Sequence, residues 1–92
     1  MSTLTPIEQW ERIKKEHPGS IILFRVGDFY EAYGDDAEKC HAILGVSITT
    51  RHKGTETLSM IGFPHHVIHE KLTKLIQSGN RVSIVDSTMK FI

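Results

Sequence analysis

The chain has one cysteine, Cys40, so no internal disulfide is open to it. That excludes the disulfide-stapled secreted scaffolds, and an unpaired thiol fits poorly with secretion. No run approaches the ~20 apolar residues that span a bilayer. At the amino terminus, Met1–Pro6 has no basic stretch leading into an apolar one. Neither a membrane helix nor a signal peptide is expected, and the expected compartment is the cytoplasm. An excess of charge of one sign is missing too: eleven basic and eleven acidic residues leave a net charge of zero. Strong, sequence-indifferent DNA binding needs a basic face that releases counterions, which weighs against that class. There is no repeat, no low-complexity run, and no GxxxxGK[ST] to cradle the phosphates of a nucleotide. What remains, at 92 residues with 39% hydrophobic and 24% charged, is an ordinary globular chain, read as one domain over residues 1–92.

The charges that are present are unevenly placed. Between Asp28 and Glu38 lie five acids and no base, whereas Arg51, Lys53, Lys71, Lys74, Arg81 and Lys90 dominate the later chain. Any nucleic-acid affinity must therefore come from a local surface and be weak.

Periodicity predicts the order α-β-β-α-β-β-α-β. Thr5-Pro6-Ile7-Glu8 is a capping box with proline at the first helical position. Ile7, Trp10 and Ile13 share one face of that first helix, and His17-Pro18-Gly19 ends it. Ile21 to Val26 is apolar and β-branched enough for a buried strand. Gly27-Asp28 then forms a two-residue type II′ turn with Gly27 at positive φ, leading into an aromatic strand, Phe29 to Tyr33. Asp35 and Glu38 repeat the cap-plus-three pattern before a second helix with a stripe of Ala37, Cys40, His41 and Leu44, stopped at Gly45. A strand over Val46 to Thr50, a polar loop from Arg51 to Thr57 centred on Gly54, and a strand over Leu58 to Phe63 closed by Pro64 are expected next. A third helix starts at His65, presents Ile68, Leu72, Leu75 and Ile76, and ends at Gly79. Arg81 to Asp86 is the last strand, and the tail Ser87 to Ile92 is ambiguous. The simplest fold class is α/β: a small mixed sheet of about five strands flanked by about three helices.

The chemically informative stretch is Phe24-Arg25-Val26-Gly27-Asp28-Phe29-Tyr30-Glu31-Ala32-Tyr33. On a strand, Phe29, Glu31 and Tyr33 point to one face and Tyr30 and Ala32 to the other. Phe29 and Glu31 are then about 6.5–7 Å apart, two residue rises. An aromatic ring beside a carboxylate suits an unstacked base, because the ring replaces lost stacking and the carboxylate accepts from a base edge. An acid aimed at DNA also discriminates: an intact duplex repels it, whereas a deformable site accepts a wedge at lowest cost. The competing structural reading makes Phe29 and Tyr33 core residues and Glu31 a solvated edge charge.

Gly27-Asp28-Phe29-Tyr30-Glu31, followed by Ala32-Tyr33-Gly34-Asp35-Asp36-Ala37, resembles the amino-terminal signature of the MutS family, whose heart is Phe-X-Glu. Thr5-Pro6, Leu23-Phe24-Arg25-Val26, Ile48-Thr49-Thr50-Arg51, Gly62-Phe63-Pro64-His65-His66 and the segment from Leu72 to Ile84 fall in the family's order and approximate spacing. The resemblance covers roughly Thr5 to Val85. It implies a mismatch-recognition domain in which Phe29 stacks on a mispaired or unpaired base from the minor groove and Glu31 hydrogen-bonds that base. It also implies that Arg51, standing in the place of a family arginine, contacts the DNA backbone, with Arg25 and Lys53 behind it. Tyr30, between the two site residues, is assigned to packing. MutS proteins are large ATPases with further domains that grip the DNA. A lone recognition domain lacks that effective concentration.

The other constellations carry less. His65 and His69 stand i,i+4 on the third helix with His66 adjacent, yet no acid completes an HExxH pattern; ordinary histidines are the better reading, and no metal is expected. Cys40 lies on an apolar stripe, where thiols are inert, and Asp35 and Asp36 are better explained as caps than as catalytic carboxylates. No enzyme and no cofactor are expected. The expected partner is duplex DNA with a mismatched or unpaired base. The alternative is a protein-interaction module that keeps the fold and modulates a full-length MutS or another repair protein. A wedge must be accessible in the free protein, so Phe29 is expected to be exposed to solvent despite its size. A ring sealed in the core would end the wedge reading.

Overall fold

The computed structural model describes residues 4–86. Among them, the chain runs α1 (Pro6–Glu16), β1 (Ser20–Val26), β2 (Phe29–Tyr33), α2 (Gly34–Leu44), β3 (Ile48–Lys53), β4 (Glu56–Pro64), a 3₁₀ turn (His65–Val67), α3 (Ile68–Gln77) and β5 (Arg81–Asp86). The strands form one mixed sheet in the order β3-β4-β2-β1-β5, with β1 and β5 parallel and every other pair antiparallel. This is the α/β class expected, with five strands and three α-helices. No helix among the described residues is long and apolar enough to cross a membrane.

Both faces of the sheet are covered, but unequally. On one face Ile21, Leu23, Ala32, Ile61 and Phe63 pack with Ala37, Cys40 and Leu44 of α2 and Leu75 of α3. On the other face α1 lies alone, its Ile7, Trp10 and Ile13 against Ile22, Phe24 and Tyr33. A single three-turn helix is narrower than a five-stranded sheet, so this second face is left partly open.

Local chemistry explains most boundaries. The Thr5 capping box closes reciprocally, with Glu8 N donating to Thr5 Oγ1 at 3.2 Å and Thr5 N donating to Glu8 Oε1 at 3.0 Å. The β1–β2 turn is the two-residue loop expected: Val26 pairs with Phe29, Gly27 has φ 60°, and Asp28 has no positive φ. That combination fits type II′ and not type I′. Gly45, in the left-handed region at φ 74°, ends α2.

Five expectations need correction. Asp35 does not cap α2; the helix begins at Gly34, preceded by Tyr33 with no side-chain cap. The polar segment from Arg51 to Thr57 is not a loop, because β3 runs to Lys53 and β4 starts at Glu56, with only Gly54-Thr55 between them. β3 is an edge strand and largely solvated, so it lacks the apolar alternation that marks a half-buried strand. His41 is exposed rather than in the α2 stripe, its ring Nδ1 2.7 Å from the Val46 carbonyl oxygen. Ile76 is exposed as well, since α3 buries only the line through Leu75. The third helical segment opens with the 3₁₀ turn before α3 proper. The tail over residues 87–92 lies outside the described residues.

Asp36 ties the layers together. Its side chain is fully buried and accepts from Trp10 Nε1 at 2.8 Å, Lys14 Nζ at 2.9 Å and the Ile22 backbone N–H at 3.1 Å. The antiparallel ladder between β1 and β2 stops at Phe24–Glu31 because the chain turns away into α2 after Tyr33. Asp36 thus supplies Ile22 with an acceptor near the point where that ladder ends. Lys14 also donates to the Ser20 carbonyl at 2.6 Å, which holds the α1–β1 connection to the same point. Above it, the Trp10 indole lies so close to Gly34 that a Cβ there would sit 2.6 Å from Trp10 Cη2, at a φ of +57° that disfavours any side chain.

Removing one partner of a buried ion pair leaves the other charge uncompensated. Asp36→Ala should therefore cost about 3–5 kcal/mol of stability by urea denaturation. Trp10 is the only tryptophan, so its emission should shift to the red as α1 loosens. A second expectation concerns Cys40, whose thiol is pushed up to about 12 by burial first and by the charge of Asp36 second. In the unfolded chain the thiol ionises near about 8.5. Between these values the native state holds the extra proton, so stability should fall as pH rises through that window. Cys40→Ala should remove part of this alkaline loss, read from denaturation curves at pH 7.5 and 10.5 relative to the parent chain.

Candidate nucleic-acid interface

The open part of the α1 face carries the candidate residues Phe29 and Glu31. Alternation along β2 puts Phe29, Glu31 and Tyr33 on the α1 side, with Tyr30 and Ala32 facing α2 and α3. The three residues sit at very different depths. Phe29, next to the β1–β2 turn, is 49% exposed, and among the exposed large hydrophobic residues it is the aromatic one. The Glu31 side chain is 14% exposed. Tyr33 is fully buried under α1, its ring 6.0 Å from that of Phe24. The strand therefore rises from the core to solvent over five residues, ending on a half-exposed ring.

Neighbouring strands frame these side chains. Phe29 pairs with Pro64 and Glu31 with Gly62, so the nearest residue of β4 on this face gives Glu31 no side chain to pack against. A Cβ at Gly62 would stand 3.8 Å from Glu31 Cγ, an ordinary contact, so the glycine leaves open space over the carboxylate without being required by strain. The end of β4 is fixed to the turn by the His65 N–H, which donates to the Asp28 carbonyl oxygen at 2.8 Å.

Among the described residues, two polar side chains stand at Glu31. The Tyr33 hydroxyl donates to its Oε1 at 2.6 Å, and Arg51 Nη2 lies 3.9 Å from the same oxygen. Burial, and then the hydrogen bond to Glu31, push the Tyr33 phenol well above its ordinary range, so it remains a donor. Arg51 is half exposed and bridges from β3, its Nη2 also 3.1 Å from Met60 Sδ. An ion pair this long and this solvated contributes little to stability. Arg51 and Tyr33 border a shallow groove of about 320 Å³ between the start of α1 and the β3–β4 hairpin, shared with Thr5, Pro6, Ile7 and Glu8.

Of the residues singled out in the sequence, the fold brings Phe29, Glu31 and Arg51 to one face. Lys53 is the last residue of β3 and pairs with Glu56. Arg25 is not with them. It pairs with Tyr30, its guanidinium sits 5.8 Å over that ring on the opposite face, and its Nε donates to the Gly27 carbonyl oxygen at 2.6 Å. Tyr30 packs against Phe63, their ring centroids 6.0 Å apart, in agreement with a packing role. Among the described residues no group of three His, Cys, Asp or Glu side chains is placed to hold a metal ion. Sequence reading missed the Tyr33 hydroxyl and Gly62. The i,i+2 spacing to Glu31 was a usable signal for the first; nothing local pointed to the second.

Comparison with known proteins decides the family. The family model described as MutS domain I matches residues 5–91, almost the whole chain. The chain belongs to the MutS domain I family. The match continues past Val85, where the motif-level resemblance stops. Curated relatives agree: the DNA mismatch repair protein MutS of Christiangramia forsetii is 45% identical over 84 residues, 90% of this chain and 10% of that protein. Those of Flavobacterium psychrophilum and Parabacteroides distasonis are 48% and 49% identical over 84 residues, each covering 89% of this chain and 10% of theirs. This MutS domain I chain thus spans about a tenth of the length of the curated relatives it matches.

The different depths of the two aromatic rings make a direct test. Phe29→Ala should lower stability by less than about 1 kcal/mol, because a half-exposed ring gives up little buried area. Tyr33→Ala should cost about 3–5 kcal/mol as a core truncation. Thermal melts of the two variants, side by side, read both.

Proposed function

We propose that this chain is a recognition module for duplex DNA distorted by a mismatched or unpaired base. Phe29 acts as the wedge, Glu31 as the base contact, and Arg51 and Lys53 meet the sugar-phosphate backbone. The observation that carries the reading is Phe29: a large aromatic half exposed at the rim of an open sheet face, with a carboxylate two residues along the same strand. A surface ring costs free energy to keep in water and gains it on stacking against a base. Inserting such a ring between base steps is cheapest where stacking is already weakened, which makes the wedge selective for defects. Membership of the MutS domain I family and the names of the relatives, DNA mismatch repair proteins, support the same reading.

The electrostatics set the affinity. With a net charge of zero and Asp28 and Glu31 at the contact, backbone attraction rests on few cations, so binding by this chain alone is weak and salt-sensitive. Specificity comes from the mismatch-dependent gain rather than from grip. The reading assigns the chain no catalytic step, no nucleotide and no cofactor. Neutral charge also favours a second reading, a protein-contact module that acts on a full-length MutS or another repair protein.

Fluorescence anisotropy at low salt separates the two. One labelled duplex carries a G·T mismatch or an unpaired thymine, and the other is fully paired. Tighter binding to the defective duplex should appear in the micromolar range and disappear in Phe29→Ala. Equal affinity for both duplexes, unchanged in Phe29→Ala, would sink the wedge reading. Absence of binding to either duplex would move the function to protein contacts.

A further inference from the structure

To meet a base, Glu31 must present an ordered carboxylate, and a lone glutamate beside an empty Gly62 position would sample many rotamers. Tyr33 answers that problem. Its ring is buried in one cluster with Ile7, Ile22 and Phe24, yet its hydroxyl reaches the carboxylate of Glu31 two residues back on the same strand. At 2.6 Å the contact has the length of a charge-assisted O–H···O⁻ bond. It engages Oε1 only, and among the described residues no donor is hydrogen-bonded to Oε2. Arg51, at 3.9 Å, stands on the Oε1 side as well.

We infer that Tyr33 is the positioning residue for Glu31: its buried hydroxyl pins Oε1 and leaves Oε2 as the oxygen that meets the base. The inference rests on the proposed role of Glu31 in base contact. The hydroxyl is held by the core, so it does not move with the solvent or with the DNA. A carboxylate ordered before binding loses little rotamer freedom when the base arrives, and a preorganised acceptor discriminates better than a mobile one. Among the partners of Glu31, Tyr33 is the buried one; the half-exposed Arg51 remains free to turn toward phosphate.

Tyr33→Phe tests this in the full chain, since it removes one oxygen and keeps the ring. Melting temperature and Trp10 emission should stay close to those of the parent. NMR couplings of the Glu31 side chain should report one dominant rotamer in the parent and averaging in Tyr33→Phe. Preference for the mismatched duplex should fall about 3–10-fold, the range of one net hydrogen bond. In a Glu31→Ala background the same substitution should change nothing further. An unaveraged Glu31 rotamer in Tyr33→Phe overturns the proposal, and so does an equal loss of preference in the Glu31→Ala background. If Glu31→Ala itself keeps the parent's preference, or the parent has none, the base-contact role fails instead, and the couplings alone decide whether Tyr33 orders Glu31. Should Tyr33→Phe fail to fold, the parent provides the readout. A slowly exchanging Tyr33 hydroxyl proton, lost in Glu31→Ala, supports the pin; its absence in the parent overturns it.

Discussion

A carboxylate with no access to water, Asp36, is the point on which the rest of the molecule hangs. Burying a charge is affordable only when it is paired and its lone pairs are filled. Asp36 meets both conditions by drawing one donor from the α1 lysine, one from the α1 indole and one from the β1 backbone. Three elements distant in sequence must therefore meet in one geometry, or none of them is satisfied. The seat of α1 on the sheet follows from that requirement, and the glycine at position 34 permits the close approach of the indole.

The seat of α1 in turn shapes the candidate face. The helix covers Ile22, Phe24 and Tyr33 and leaves Phe29, Glu31 and Arg51 beyond its edge. One short strand, β2, thus runs from sealed core to open surface, and a buried phenol can act on a nearly buried acid that borders an exposed ring. The β1–β2 turn, held to the end of β4 through the Asp28 carbonyl, keeps the ring on a fixed platform rather than on a loose loop. Placement on strands rather than loops suits the proposed role of a probe that must meet a base to within a fraction of an ångström.

Neutral charge is coherent with such a probe. A module that inspects DNA should not be trapped by intact duplex, and strong backbone attraction would do that. In a protein about ten times longer, as the curated relatives are, grip can come from elsewhere and be multiplied by effective concentration. Under the proposed function the module then needs to supply only a difference in affinity, which Phe29 with Glu31 beside it is suited to provide.

Much of this was legible along the chain. The Thr5–Glu8 capping box, the Gly27 turn, the alternation of Phe29, Glu31 and Tyr33, and the left-handed stop at Gly45 are local, because each depends on residues within a few positions of one another. The Phe-Tyr-Glu signature named the family for the same reason. The edge strand β3 was not legible, since a solvated strand carries no apolar period. The opposite placement of Arg25 needed the register with Tyr30. Asp36 read as a cap because its partners lie 14 to 26 residues away, and Glu31 read as free because the partner on its own strand becomes decisive only once α1 buries it. The sequence by itself determined the family and the order of the elements, because caps, turns and the Phe-X-Glu signature are local. Tertiary structure alone decided which polar groups lose their water, and with it which carboxylate ties the layers together and which hydroxyl meets Glu31.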